Sequence, residues 1–384
     1  MVRRPGFRIA RTLGIPIYLH PSWFVIFFLI TFSLSIQFRQ QHPHWSHLQH
    51  WSLGIFTSLL FFGSVVFHEL AHSVVAIRYR IPVLSITLFV FGGVARIGRD
   101  PDKAMQEFNI AIAGPLSSYF LVGLFWLLIS AFPKIEMLRA LAFWLAWVNF
   151  GLATFNLLPG FPLDGGRIFR ALAWGITGSY ERATRLAGRS GRFMAYAMIV
   201  FGSWRAMTGD LVGGLWIAFL GWFLLNAAQE TVAQATIRTA LAGLRASDVM
   251  SHEIPEVSGA MPLDEYGRLV LRTGQRCHFV LDEGRLLGLM NIQALNAVPR
   301  EAWHQTAEQT AMVPRTKIVS TTPDHPLLPL LERMVSDDIN QVSVVQGGDS
   351  RAEVLGIIGR DSILRVIQAH LELQSSSLNH ATRP

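Results

Sequence analysis

Apolar residues dominate the first 228 positions of the chain, in long runs that short polar segments interrupt. A helix needs roughly 20 apolar residues to cross a bilayer. Six runs approach that length, at residues 22–38, 52–77, 108–132, 138–158, 193–208 and 211–228. The fifth run is the weakest, because Arg189 and Arg192 stand at its start and must extend their charges toward the membrane surface. The pattern predicts a polytopic α-helical membrane protein with about six transmembrane helices.

The hydrophobic pattern changes after residue 228. Residues 229–245 are rich in alanine and predict a linker helix. Residues 246–371 mix short β-type runs with amphipathic stretches, which is typical of a small α/β domain, and residues 372–384 have the composition of a disordered tail. We therefore expect a membrane-embedded domain over residues 1–228 and a soluble C-terminal domain.

The C-terminal domain contains an internal repeat. The segment RLLGLM at residues 285–290 recurs as EVLGII at residues 353–358, and an apolar strand-like run precedes each copy. A repeated unit of this size indicates tandem modules. We place them at about residues 246–300 and 311–371.

The distribution of charge predicts the topology of the chain. The net charge of +7 is compatible with nucleic-acid binding, but Lys and Arg alternate between rich and poor connecting segments. The rich segments precede the first predicted span, join the second to the third, and join the fourth to the fifth. Because cytoplasmic loops carry the excess of Lys and Arg, we expect a multi-pass protein of the cell membrane with both termini cytoplasmic and no nucleic-acid partner. Loss of the fifth span would move the C-terminal domain to the other side.

The second predicted span contains the motif HELAH at residues 68–72. Side chains at positions i and i+4 share one face of a helix, so His68 and His72 can reach one metal ion. Glu69 is then placed to take a proton from a water molecule at the metal, whose pKa zinc lowers to about 7. A chance match is the alternative, but two histidines and a glutamate inside an apolar span cost several kcal/mol unless they are paired or bind something.

A catalytic zinc site needs a third protein ligand and an open position. The carboxylates in or near the predicted spans are Asp100, Asp102, Glu107, Glu136 and Asp164. The first two lie in a charged loop, the third is placed to cap the start of the third span, and the fourth lies in an external loop. Asp164 differs, because it stands in NLLPGFPLDGG at residues 156–166, where two prolines and three glycines forbid a continuous helix. Irregular backbone at membrane depth is tolerated where it lines a cavity or is buried in protein.

HELAH in an early span, followed by NLLPGFPLDGG, resembles the site-2 protease family of intramembrane zinc metalloproteases, in the bacterial and archaeal branch with an appended regulatory domain. The resemblance covers the whole apolar region. It implies that His68, His72 and Asp164 bind one Zn²⁺ ion per chain and that Glu69 is the catalytic base. It also implies that Asn156 helps to hold the substrate, a membrane-anchored protein that is cut within its transmembrane segment.

The segment VLSITLFVFGGVARI at residues 83–97 is rich in β-forming residues, with Gly92 and Gly93 at an expected turn. A short buried strand pair without a functional role is one interpretation. The resemblance implies the other, a membrane-embedded β-hairpin whose edge strand pairs with an unwound substrate. In the third span, Asn109 and the segment Ala113–Pro115 indicate close helix packing.

Four histidines fall close together between the first two predicted spans: His42, His44, His47 and His50. Their spacing matches no standard metal site. We therefore expect a solvated or interfacial loop.

The C-terminal repeat resembles a pair of CBS (cystathionine-β-synthase-type) modules, which often bind adenine nucleotides. The usual signature is Gly, then Thr or Ser three residues later, then Asp three residues further on. The corresponding positions here are Gly288, Asn291 and Ala294 in the first copy and Gly356, Gly359 and Ser362 in the second. Both copies lack the ribose-binding Asp at its expected position, although Asp361 is one residue away. A nucleotide or other ligand that modulates the protease, and a domain that only docks substrate or forms a homo-oligomer, therefore stay open as alternatives.

A transporter or channel with a regulatory CBS pair is the competing function. It predicts pathway residues in several spans or an inverted repeat. The ionisable groups within the predicted spans concentrate instead in HELAH and at Asp164, which favours the protease.

Overall fold

The computed structural model describes residues 6–90, 92–253, 255–275, 277–282, 285–346 and 353–380. The chain divides into two compact units, one that ends at Thr236 and one that begins at Ile237.

The first unit is mostly helical. Its helices are α1 (Ser22–Gln41), α2 (His47–Arg78), α3 (Ala104–Ala131), α4 (Glu136–Asn156), α5 (Asp164–Thr177), α6 (Tyr180–Met207) and α7 (Leu211–Leu241). In the part of the chain that the structure describes, five of them are long and apolar enough to cross a membrane, namely α1, α2, α3, α4 and α7. The fifth predicted span lies within α6, which is continuous but does not meet that criterion because its first half is rich in arginine.

Helix α2 is central in this unit and packs against α1, α3 and α4. A capping box at Ser46 and Gln49 starts the helix. Near its middle, Ser64 accepts a hydrogen bond from the buried Asn149 of α4 at 3.2 Å. Several residues in the C-terminal half of α2 are buried, and the HELAH motif lies in this half.

A four-stranded sheet accompanies the helices. Its strands, in the order β1–β2–β3–β4, are β1 (Phe7–Thr12), β2 (Ile15–Leu19), β3 (Val83–Phe89) and β4 (Gly92–Ile97). The sequence predicted the antiparallel pair β3–β4 but not β1 and β2, and β2 runs parallel to β3. The predicted turn position of Gly92 and Gly93 is wrong. They begin β4 instead, because Phe89 pairs with Gly92 and leaves only residues 90 and 91 between the strands.

The second unit contains two short sheets. The first has the order β5 (Glu256–Ser258), β6 (Cys277–Asp282), β7 (Arg285–Asn291) and β8 (Val313–Pro314), and the second joins β9 (Ser320–Thr321), β10 (Gln341–Gln346) and β11 (Glu353–Gly359). Its helices are α8 (Leu263–Thr273), α9 (Ile292–Asn296), α10 (Glu308–Ala311), α11 (Leu327–Ser336) and α12 (Arg360–His380). Strands β6 and β10 each have one parallel and one antiparallel neighbour, and the repeated sequences lie on β7 and β11, the antiparallel neighbours of these two strands.

The two edges of this unit differ in how they compare with the expectations. The predicted linker helix over residues 229–245 is helical as far as Leu241, where it forms the end of α7. The expected disordered tail is helical in α12 as far as His380, and residues 381–384 lie outside the described residues. Leu, Gln and Glu favour helix at the point where α12 continues past residue 371.

The start of the second unit packs on the later half of the repeat. Leu241 and Ala246 share an apolar core with Leu330 and Val344, and the Ala246 N–H donates to the carbonyl of His325 at 2.9 Å. The first residue of the first copy and the end of the helix before it therefore contribute to the apolar core of the second copy.

Candidate metal centre

Helix α2 carries the two histidines of the HELAH motif. His68 and His72 lie one turn apart on one face, they are 3% and 4% exposed, and their Nε2 atoms are 3.2 Å apart. Helix α3 holds the other ring nitrogens: His72 Nδ1 donates to the Ile110 carbonyl at 2.6 Å, and His68 Nδ1 lies 2.9 Å from the Ser118 hydroxyl. A hydrogen bond from Nδ1 leaves the Nε2 lone pair free, so these contacts orient both rings for binding a metal.

The break in the helices that the sequence predicted brings a carboxylate to the same point. Helix α4 ends at Asn156, residues 157–163 form turns, and α5 begins at Asp164. The Asp164 Oδ2 atom lies 3.1 Å from His68 Nε2 and 3.2 Å from His72 Nε2. Three ligand atoms from two distant segments therefore meet at one point.

These three side chains fit a zinc ion. Tetrahedral zinc with ligand bonds of 2.0–2.1 Å separates its ligand atoms by about 3.3 Å. The three separations here are 3.1, 3.2 and 3.2 Å. Two imidazoles and one carboxylate are also a typical ligand set for a catalytic zinc site, which keeps its fourth position open.

A buried ion pair anchors the helix that delivers Asp164. Arg170 of α5 donates through Nε to the Glu107 carboxylate of α3 at 2.7 Å, and its Nη2 also bonds the same oxygen. The guanidinium lies over the rings of Phe161 and Tyr180. Glu107 was expected to cap α3, but it has this partner instead, because α5 returns across the start of α3 and brings a cation to it. The pair joins the helix of Asp164 to the helix that orients the histidines.

Glu69 is held beside the three ligand atoms by strand β4. Its Oε2 accepts the backbone N–H of Ala95 at 3.2 Å. A Cβ atom on Gly93 would come within 2.6 Å of the Glu69 side chain. Strand β4 can therefore approach Glu69 only because position 93 lacks a side chain.

All the site residues that the sequence predicted line one cavity of about 240 Å³. Its lining includes His68, Glu69, His72, Gly92, Gly93, Asn156 and Asp164. Within the described residues, Asn156 makes no side-chain hydrogen bond, so its amide is free to meet another molecule in the cavity.

The structure adds residues that sequence reasoning missed or assigned to packing. Gly114 of α3 faces the ligands so closely that a Cβ atom would lie 2.2 Å from His72 Nε2 and 2.5 Å from His68 Nε2. Arg167 lines the cavity one turn after Asp164. The sequence offered Ala113–Pro115 as a packing signal, but no spacing rule connects α3 to a motif on α2.

Comparison with known proteins finds two family models that match the chain. The family model of peptidase family M50 matches residues 56–143 and 130–198, and the CBS domain model matches residues 311–369. A solved site-2 protease from Methanocaldococcus jannaschii is 29% identical, over 59% of this chain and 94% of that one, with a TM-score of 0.42.

Two relatives are similar over almost their whole length. The candidate zinc metalloprotease Rip3 of Mycobacterium tuberculosis is 33% identical over 372 residues, which is 96% of this chain and 94% of the relative. A zinc metalloprotease of Methanocaldococcus jannaschii is 30% identical over 371 residues, 96% of this chain and 97% of the relative. With this much sequence shared over almost the whole length of both relatives, the chain belongs to peptidase family M50, the site-2 proteases, and is an intramembrane zinc metalloprotease with a CBS domain.

Proposed function

We propose that His68, His72 and Asp164 bind the zinc ion and that Glu69 is the general base for hydrolysis of a peptide bond in a membrane-anchored protein. The observation that carries the proposal is the convergence of the three ligand atoms within 3.2 Å of one another, with a carboxylate next in sequence on the same cavity wall.

Glu69 and the Ala95 backbone N–H have separate roles in the proposed hydrolysis. Zinc, when bound, polarises the scissile carbonyl and lowers the pKa of water to about 7. Glu69 takes a proton from the attacking water and then donates it to the leaving amine nitrogen. The Ala95 N–H holds one oxygen of that carboxylate, so the other oxygen is free for proton transfer.

We propose that the substrate binds as an extended strand beside β4. This strand is the edge of its sheet, and Gly92, Gly93, Val94, Ala95 and Ile97 line the cavity. A helical transmembrane segment shields its peptide bonds, and strand addition exposes them. The Ala95 N–H already donates a hydrogen bond to Glu69. The substrate strand therefore pairs with the other backbone N–H and C=O groups on the edge of β4 and passes beside Glu69. The free amide of Asn156, which also lines the cavity, then bonds the substrate backbone.

Removal of the Asp164 carboxylate tests the zinc assignment. We expect Asp164→Ala to lose zinc and proteolysis together, with a loss of metal affinity greater than the roughly 10–100-fold that a supporting contact costs. Metal analysis of the purified protein and cleavage of a membrane-anchored reporter measure the two effects. Asp102→Ala is the control, since Asp102 pairs with Arg99 in an exposed loop. Full zinc and full activity in Asp164→Ala would mean that another residue is the third ligand.

The distribution of Lys and Arg supports a cytoplasmic position for the C-terminal unit. The proposed topology has six crossings, with α6 as the fifth, although α6 is not apolar enough to be identified as a span on its own. A reporter fused after Pro384 should therefore behave as cytoplasmic. An extracytoplasmic signal would instead mean that α6 does not cross.

We propose that the CBS unit modulates cleavage. A cavity of about 240 Å³ in this unit is lined by residues of both copies of the repeat, among them Asn291, Asn340 and Asp361. A ligand regulates only if it binds the active and inactive arrangements with different affinity. Asp361 offers a carboxylate to such a ligand. Because Asp361 is one residue away from the usual ribose-binding position, we expect weaker binding of adenine nucleotides. Self-association of this unit is the remaining proposal for its role.

Deletion of residues 246–384 tests this role. We expect the truncated protein to keep its zinc but to cleave its native substrate at a changed rate. The comparison is made in membranes, for the truncated and full-length proteins, each with and without ATP. Equal rates in all four conditions would show that the unit neither docks substrate nor controls the site. An effect of ATP confined to the full-length protein would show that the CBS unit responds to adenine nucleotide although it lacks Asp at the usual ribose-binding position.

A further inference from the structure

The loop between α1 and α2 meets the start of α4 through a second cluster of metal-ligating side chains. His42 Nδ1 lies 2.8 Å from Glu136 Oε1, and His44 Nε2 lies 3.0 Å from Glu136 Oε2. The ligand atoms of the three side chains all lie within 4.8 Å of one another. The spacing of the histidines alone matched no standard site, and the structure supplies the missing carboxylate from a segment more than 90 residues away.

Neighbouring side chains hold this cluster in place. The His42 ring stacks on Trp45 at a centroid distance of 4.1 Å and an interplanar angle of 5°. Trp45 also donates its indole N–H to Glu136 Oε2 at 3.3 Å, and the buried His50 bonds the His42 backbone carbonyl at 3.0 Å. These contacts fix one imidazole and the carboxylate before any ion binds, as supporting contacts do at metal sites.

We propose that His42, His44 and Glu136 form a second binding site for a divalent transition-metal ion of the Zn²⁺ class. Two imidazole nitrogens and a carboxylate suit Zn²⁺, Ni²⁺ or Cu²⁺ and not Mg²⁺ or Ca²⁺, which prefer oxygen ligands. His44 and Glu136 are 62% and 48% exposed, so an ion has access from solvent, and water can complete its coordination. Simple hydrogen bonds from the imidazoles to the carboxylate are the alternative that the experiment must separate from this proposal.

The second site is far from the catalytic zinc. His47, the first residue of α2, and His68 are 21 positions apart on that helix, which is roughly 30 Å at 1.5 Å per residue. The cluster joins the start of α2 to the start of α4. Those helices carry His68 and Asn156 toward their other ends. An ion bound there would brace two helices that both contribute residues to the lining of the catalytic cavity.

The number of zinc ions bound per chain tests the proposal. Purified full-length protein is dialysed to equilibrium against buffered micromolar free Zn²⁺, and bound zinc is measured by elemental analysis. We expect two zinc ions in the wild-type protein and one in His44→Ala and in Glu136→Gln, with at least a tenfold weaker affinity for the lost ion. His47→Ala is the matched control and should keep both ions, because it removes a neighbouring histidine outside the cluster.

A double His68→Ala, His72→Ala variant identifies which ion is lost. It should retain one zinc, and the further change Glu136→Gln should remove it. One zinc in the wild-type protein throughout the micromolar range would overturn the proposal and leave only the hydrogen-bonded loop contact. Two zinc ions in both His44→Ala and Glu136→Gln would also overturn it. His44 is largely exposed, so its removal tests the site even if Glu136→Gln disturbs folding. None of these outcomes depends on the assignment of Glu69.

Discussion

Glu69→Gln is expected to reduce peptide-bond hydrolysis by at least about 100-fold while the protein retains its zinc, because loss of a positioned general base costs 10²–10⁴-fold in rate. The glutamine amide has nearly the same shape as the carboxylate and its oxygen can still accept the Ala95 N–H, but it cannot take a proton. Glu69 is separate from the ligand set, since among the described residues the group here that could hold a metal ion consists of His68, His72 and Asp164.

The measurement combines cleavage of a transmembrane reporter substrate in proteoliposomes with zinc content of the same preparation. Glu181→Gln is a suitable control, because Glu181 is a surface carboxylate paired with Arg185. Residual cleavage above about 1% of the wild-type rate would rule out Glu69 as the base. A simultaneous loss of zinc would mean instead that Glu69 helps to bind the metal.

Much of the proposed zinc site follows from signals that are local in the sequence. The i, i+4 spacing of His68 and His72 fixes them on one helical face whatever surrounds the helix. Prolines and glycines between Asn156 and Asp164 forbid a continuous helix from composition alone. The position of the two histidines and Glu69 inside an apolar segment meant that they must be paired or bind something. Each of these sequence features spans a short stretch of neighbouring positions and does not depend on the tertiary fold.

The remaining parts of the site depend on contacts between distant segments. Strand β1 has the sequence FRIART, which alternates apolar and polar residues over only its first three positions. Strand β2 pairs with a strand more than 60 residues later. The sequence indicated Glu107 as a helix cap and Arg170 as a charge of a cytoplasmic segment. It gave no sign that they pair, because nothing in it shows that α5 returns to α3. The fifth span stayed ambiguous for a different reason: the arginine-rich first half of α6 hides the apolar second half from a hydropathy average.

Gly114→Ala is expected to disrupt the zinc site although it changes one hydrogen to a methyl group in a helix. The new Cβ would lie 2.2 Å from His72 Nε2 and 2.5 Å from His68 Nε2, far inside van der Waals contact. The rings cannot swing away freely, because His68 and His72 are bonded to Ser118 and Ile110 on the same helix as Gly114. Relief therefore requires α3 to move from α2, which separates the imidazoles from their supporting contacts.

The expected result is a loss of zinc affinity of at least roughly 10–100-fold, with a matching loss of cleavage. Zinc content at fixed free Zn²⁺ and reporter cleavage measure it. Gly123→Ala on the same helix is the matched control, because a Cβ there meets no heavy atom within 4 Å. Alanine favours helix over glycine by about 1 kcal/mol, so helix propensity alone would make both variants neutral or more stable. Wild-type zinc affinity and cleavage in Gly114→Ala would contradict the close approach of α3, whereas loss in that variant alone would identify Gly114 as the position that lets α3 support both histidines.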